Sequence, residues 1–212
     1  MLQHIIFDLD GTLVDSKQEI LNTYRQVIKK IPALGEIDFN ALDFTETIQN
    51  NLAFIYKNNE DLMVEAKKRF AEIYDHSEFE NTLLYKGTYE ALEYLYSENH
   101  ILHIATNKRL TPTLRIIERK RLSAFISSVK ASDQTEGKIS TKTEMVKEIC
   151  AENNLISGFM IGDSQKDIEA GKICELTTVA VTYGYEKKED LILKKPNFVI
   201  DSISDLIGIV NR

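Results

Sequence analysis

Six short runs of β-type residues, Gln3–Phe7, Ile101–Ala105, Phe125–Val129, Phe159–Ile161, Thr178–Val181 and Phe198–Ile200, each stop at a loop residue and give way to a helical pattern. A chain with that rhythm has few folds open to it. Strands separated by helices run parallel, and the helices cover both faces of the sheet. The first run, Ile5-Ile6-Phe7, is apolar without alternation, as a central strand buried on both sides requires.

Between Asp15 and about Leu84 the rhythm breaks and no strand is expected. Leu21, Tyr24, Val27, Ile28 and Ile31 fall at helical spacing before Pro32, and Thr47–Tyr56 and Leu62–Tyr74 form two further helical blocks. The expected architecture is an α/β core of residues 1–15 and 85–212 with an all-α insertion, 16–84, of about four helices. The insertion would act as a lid, hinged at Asp15-Ser16 and just before Gly87. A chain of 212 residues has room for one domain and such an insertion.

Composition narrows the function. The net charge is −7, with lysines and arginines scattered, which argues against binding polymeric nucleic acid or an anionic membrane. No run approaches the ~18 apolar residues of a membrane span, and the start of the chain lacks the cationic, then apolar pattern of a signal peptide, so a cytoplasmic location is expected. Cys150 and Cys174 lie far apart in sequence, without metal-type spacing, and are expected to be buried thiols. His4, His76, His100 and His103 share no metal-like spacing, and Tyr85, Tyr89, Tyr94 and Tyr96 read as packing residues.

The chemistry concentrates where strands end. Asp8-Leu9-Asp10-Gly11-Thr12 follows the first strand, and Gly11 lets the chain curl so that both acids face one crevice. A plain Asp-Gly turn is the structural alternative. Gly162-Asp163-Ser164 with Asp167 follows the strand Phe159–Ile161 and offers hard oxygen ligands suited to Mg²⁺. Asp163 or Ser164 could equally cap the helix over Gln165–Lys172. Thr106-Asn107-Lys108 ends another strand with a hydroxyl and an amide fit for phosphate oxygens. Parallel sheets bind ligands at such carboxyl ends. A cation is needed to bring a phosphoester to a carboxylate, and Lys142 and Lys138 are the candidates. Thr141-Lys142-Thr143-Glu144 reads as a capping box with Lys142 in the first helical turn.

In this order, Asp8-x-Asp10-Gly-Thr12, Thr106, a lysine before a helix, and Gly-Asp163 with Asp167 resemble the four motifs of the haloacid dehalogenase superfamily. The insertion after the first motif resembles the helical cap of its phosphoglycolate phosphatase-like branch. The resemblance implies a Rossmann-like doubly wound sheet with core strand order 3-2-1-4-5. It implies a Mg²⁺-dependent phosphatase acting on a small phosphoester, as a monomer or homodimer. Asp8 would attack phosphorus, and Asp10 would act as acid and then base. Gly11, Thr12, Thr106, Asn107 and Lys142 would hold the phosphoryl group. Asp8, Asp163 and the main-chain carbonyl of Asp10 would hold the metal, with Asp167 behind them. Many members carry Lys-Pro at the third motif; here Lys138 precedes Ile139 and Lys142 precedes Thr143, and the Thr-Lys-x-Glu form favours Lys142.

Two other classes use similar parts. A phosphosugar mutase would share every catalytic residue. A receiver-type phosphoacceptor domain would be shorter, uncapped, and carry its aspartate on a middle strand. A non-catalytic binding module is disfavoured because every expected chemical group is present.

Overall fold

A computed structural model describes residues 2–33, 35–135 and 137–211. In chain order the elements are β1 (His4–Phe7), β2 (Val14–Asp15), α1 (Lys17–Lys30), α2 (Ile48–Ile55), α3 (Glu60–Asp75), β3 (Leu83–Leu84), α4 (Thr88–Ser97), β4 (Ile101–Thr106), α5 (Leu110–Arg119), β5 (Ile126–Ala131), α6 (Lys142–Glu152), β6 (Phe159–Gly162), α7 (Gln165–Ile173), β7 (Thr177–Val181), α8 (Lys188–Leu193), β8 (Phe198–Ile200) and α9 (Leu206–Val210). Short 3-10 turns lie at Phe39–Ala41 and Ile203–Asp205.

The main sheet has the order β5-β4-β1-β6-β7-β8 and every pairing in it is parallel. Counting only its own strands, the first five follow the expected 3-2-1-4-5, and β8 adds a sixth at the edge. The chain builds outward from β1 through β4 to β5, then crosses back to lay β6 against the other side of β1. That reversal opens a crevice between the carboxyl ends of β1 and β6. Ile5, Ile6 and Phe7 are fully buried, as their unbroken apolarity demanded.

One cluster joins Ile6, Ala105 and Met160 of the sheet to Met145, Val146 and Ile149 of α6 and Ala170 of α7. Burial of each larger side chain of this kind contributes roughly 1.5–3 kcal/mol, enough to fix where both helices begin. Cys150 and Cys174 pack on the same cluster as free thiols, half-buried where full burial was expected. Tyr89 and Tyr96 pack against Phe125.

The chain divides into two compact units, Met1–Asp15 with Leu83–Arg212, and Ser16–Thr82. Among the described residues the second holds three α-helices and a 3-10 turn, where about four helices were expected. Its helices α1 and α3 meet through Tyr24 and Phe70, whose ring centroids are 4.9 Å apart, and the Tyr56 hydroxyl donates to the Ile31 carbonyl at 2.8 Å. The buried Glu19 accepts hydrogen bonds from the Ser77 hydroxyl and, at 2.9 Å, from the Asn81 amide. At the junction Leu83–Leu84 pairs antiparallel with Val14–Asp15. No strand was expected there, because two residues cannot display an alternation. Among the described residues no helix is long and apolar enough to cross a membrane.

Parallel register sets His103 beside Ser128, and His4 of β1 stacks on His103 with ring centroids 5.3 Å apart. The His4 Nδ1 to His103 Nε2 distance is 3.0 Å, and His103 Nδ1 lies 2.7 Å from Ser128 Oγ. Burial, then the neighbouring His4, pushes His103 down to about 4. A histidine depressed in the folded state contributes stability that is complete above its unfolded value of about 6.5 and is lost as pH falls through the folded value. Urea unfolding between pH 7 and 4 should therefore show His103→Gln gaining stability relative to the wild type as pH falls, because only the wild type loses the histidine's contribution. A difference between the two that does not change with pH would assign the acid sensitivity elsewhere.

Candidate active site

β1 ends at Phe7 and delivers Asp8 to the crevice, with the Asp8 amide bonded to the Ile161 carbonyl of β6 at 2.9 Å. The chain then folds back on itself: the amides of Leu13 and Val14 both reach the Leu9 carbonyl, at 2.9 and 3.0 Å, and the Gly11 amide reaches the Val14 carbonyl at 2.8 Å. Gly11 makes this possible, with φ at +83°, a region that side-chain-bearing residues rarely adopt.

Lys142 is the first residue of α6. The Thr141 side chain accepts from the Glu144 amide at 3.2 Å, and the Glu144 carboxylate accepts from the Thr141 amide at 2.8 Å, completing the expected capping box. From that position the Lys142 ammonium reaches Asp8 Oδ1 at 2.6 Å, Asp167 Oδ1 at 2.9 Å and the Ala105 carbonyl at 2.7 Å. Its side chain is 3 % exposed; that of Lys138 is 57 % exposed and pairs with Glu144 instead. The structure thus brings Lys142 to the aspartates and leaves Lys138 on the surface. There the Lys138 ammonium, then the Thr141 amide, holds the Glu144 carboxyl down at about 2.

In the second acidic motif the cap falls to Ser164, one of the two residues expected for it, and Asp163 is left among the converging carboxylates. Ser164 caps α7, and Asp167 closes the box by accepting from the Ser164 amide at 3.1 Å. Asp163 takes no part in that cap. Its Oδ1 accepts from the Thr12 hydroxyl at 3.3 Å and its Oδ2 from the Tyr185 amide at 2.7 Å. Carboxylate oxygens of Asp8, Asp163 and Asp167, all buried, lie within 4.8 Å of one another.

Two of these buried carboxyls, Asp8 and Asp163, are held above their ordinary values. Burial pushes Asp8 up to about 7 against the pull of Lys142, with Asp167 adding to the rise. Asp163 is raised well above the carboxylate range, by burial and then by Asp8 and Asp167. Burial alone would lower Lys142; Asp167 and Asp8 outweigh it and raise its ammonium above the usual lysine range. An all-oxygen donor set with surplus negative charge fits a hard divalent cation. Asp167, expected behind the metal ligands, stands among the converging carboxylates. The Asp10 carboxylate is not one of that group and pairs with Lys108 at 3.0 Å.

Thr106 is buried at the end of β4, its Oγ1 accepting from the Lys108 amide at 3.2 Å, while Asn107 beside it is exposed. Two features escaped the sequence reading. One is the Lys108 to Asp10 pair, although Lys108 belongs to the tripeptide already singled out. The other is the segment after β7, where the Tyr183 hydroxyl donates to the Thr12 carbonyl at 2.9 Å and the Tyr185 amide holds Asp163. A main-chain N–H leaves no mark on residue type, so only the fold reveals that contact.

Fold and site together define a doubly wound α/β protein that gathers buried carboxylates at the carboxyl edge of its parallel sheet. More particularly, the chain belongs to the haloacid dehalogenase-like hydrolase family, whose sequence pattern matches residues 5–181. It is 28% identical over 209 residues to the pyrophosphatase PpaX of Listeria welshimeri, covering 97% of this chain and 95% of the relative. It is also 28% identical over 225 residues to a phosphoglycolate phosphatase of Vibrio parahaemolyticus, with the same coverage of 97% and 95%. A haloacid dehalogenase-like family hydrolase from Streptococcus pneumoniae shares the fold, with a TM-score of 0.85 at 20% identity over 99% of this chain and 98% of that one.

Because the capping box sets the first turn of α6, Thr141→Ala should cost about 1 kcal/mol of stability, the usual scale for a lost N-cap. Urea unfolding of the variant measures it, and an unchanged midpoint would show that packing alone positions Lys142.

Proposed function

We propose that the chain is a Mg²⁺-dependent phosphatase of small phosphorylated metabolites, with Asp8 as nucleophile and Lys142 as its charge partner. The observation that carries this reading is the Lys142 ammonium, buried 2.6 Å from Asp8 among carboxylates able to hold a cation. The relatives named for pyrophosphate and phosphoglycolate support a small, strongly anionic substrate. Asp8 and Asp163, with the Asp10 carbonyl, would hold Mg²⁺, and Asp167 is close enough to join or orient them. When bound, the ion would neutralise phosphoryl charge.

In the first step an Asp8 oxygen attacks phosphorus and the ester P–O bond breaks. Asp10 would act as the acid that passes a proton to the leaving oxygen, and an aspartyl-phosphate remains. In the second step Asp10 takes a proton from water, whose oxygen attacks phosphorus. The bond to Asp8 breaks and inorganic phosphate leaves with Asp8 restored. Lys142 stabilises the Asp8 carboxylate and the phosphoryl oxygens, Thr106 and Asn107 supply hydrogen bonds, and the Gly11 turn presents backbone, while the buried Thr12 hydroxyl, expected on the phosphoryl group, instead donates to Asp163. The helical insertion, rooted through β2 and β3, would select the leaving group.

Free-phosphate release across a panel of phosphometabolites, pyrophosphate and phosphoglycolate included, should run to many equivalents per enzyme. A mutase would return the phosphoryl group to its sugar, and an acceptor domain would label once. Asp8→Asn should fold normally and lose turnover, since the amide is near-isosteric but a far weaker nucleophile. Phosphate release by the folded variant at the wild-type rate would refute the assignment.

The two lysines give a second test. Lys142→Ala should lower the chemical rate by about 10² or more, the scale lost with one preorganised charge-stabilising donor. Lys138→Ala should change it little. Single-turnover rates in the opposite order would shift the third motif to Lys138.

A further inference from the structure

Asp163 is held from a direction that none of the four motifs covers. A Cβ on Gly184 would lie 2.2 Å from the Asp163 Cβ, 2.4 Å from its Oδ2 and 2.5 Å from the Gly11 carbonyl oxygen. On the other side, a Cβ on Gly11 would lie 2.0 Å from Asp163 Oδ2. The carboxylate is therefore clasped between two glycine backbones, with no room for a side chain on either.

The Gly184 side is firmly fixed. Thr182 at the end of β7 bonds through its amide to the Ile200 carbonyl at 3.0 Å. The Tyr183 hydroxyl is tied to the Thr12 carbonyl at 2.9 Å, and its ring lies 4.7 Å from that of Tyr85. Glu186 accepts from the Gln165 amide at 2.9 Å, at the start of α7. Between these anchors the Tyr185 amide donates to Asp163 Oδ2 at 2.7 Å, while Thr12 donates to Oδ1 at 3.3 Å. A carboxylate has about four lone-pair sites. These two bonds occupy one on each oxygen and fix the direction of the rest.

We propose that residues 182–185 form the positioning wall of the cation site: Gly184 by its lack of a side chain, and Tyr185 by its amide, aim Asp163 at the bound divalent ion. This rests on the metal-site reading of the preceding section and adds to it the residues that orient one ligand. Outer partners of this kind typically change metal affinity by about 10- to 100-fold when altered. Any side chain at 184 must push the Asp163 carboxylate or the Gly11 carbonyl aside, since its neighbours there are the first carbon of a side chain and a backbone oxygen.

Isothermal titration of the intact protein with Mn²⁺, used as the probe for a hard divalent ion, tests the idea without turnover. The wild type should bind one ion saturably, and Asp163→Asn sets the scale of a lost ligand. Gly184→Ala should weaken binding by about 10- to 100-fold, with a circular dichroism spectrum matching the wild type in chelator. Tyr183→Phe, which keeps the ring and removes only the hydroxyl tie, should weaken it to a smaller but measurable degree. It decides the matter if Gly184→Ala does not fold. Wild-type affinity in a folded Gly184→Ala, or in Tyr183→Phe when that is the only folded variant, overturns the role of the wall. Absence of saturable binding by the wild type itself would instead overturn the metal reading on which it rests.

Discussion

The buried ammonium of Lys142 is the charge around which the carboxyl edge of the sheet is arranged. A lone ammonium in that position would be costly, and removing one partner of a buried pair typically costs several kcal/mol. Here the charge is met by Asp8 at 2.6 Å, Asp167 at 2.9 Å and the Ala105 carbonyl at 2.7 Å. Each partner comes from a different element, so β1, β4, α6 and α7 must all be in register before the lysine is satisfied. The packing of Met145, Val146 and Ile149 against Ile6, Ala105 and Met160 secures that register from below. The apolar core and the polar site are thus two ends of the same helix placement.

Asp167 shows how densely the site is built. One of its oxygens closes the capping box of α7 and the other meets Lys142. Helix initiation and charge pairing are therefore tied together through a single side chain, and a change to either is felt by both. The surplus of carboxylates over lysine is unfavourable in isolation, a condition that a bound cation would relieve.

Much of this was legible in sequence, for identifiable reasons. The strands were readable because a parallel sheet covered on both faces demands unbroken apolar runs such as Ile5-Ile6-Phe7. The positions of Asp8, Thr106 and Asp163 followed from where those runs stop. The capping box at Thr141 and Glu144 placed Lys142 correctly, since helix starts carry local signals. What stayed hidden depends on tertiary proximity. The Lys108 to Asp10 pair joins two loops, the stack of His4 on His103 needs the register of β1 with β4, and the grip of Gly184 on Asp163 is a matter of backbone approach. Likewise, the distance between Cys150 and Cys174 along the chain concealed that they share one cluster.

The two-residue ladder of β2 and β3 has a consequence beyond its size. It brings the chain's exit at Asp15 and its return at Leu83 into direct register, so residues 16–82 are attached to the core as a hairpin loop would be. The entropic cost of closing a loop grows only slowly with its length. Once the stem is made, the core is nearly indifferent to how much chain it carries. Such a graft point permits wholesale replacement over evolutionary time: the appended segment can drift in length, sequence and shape while the acids a few residues upstream stay under an entirely separate constraint.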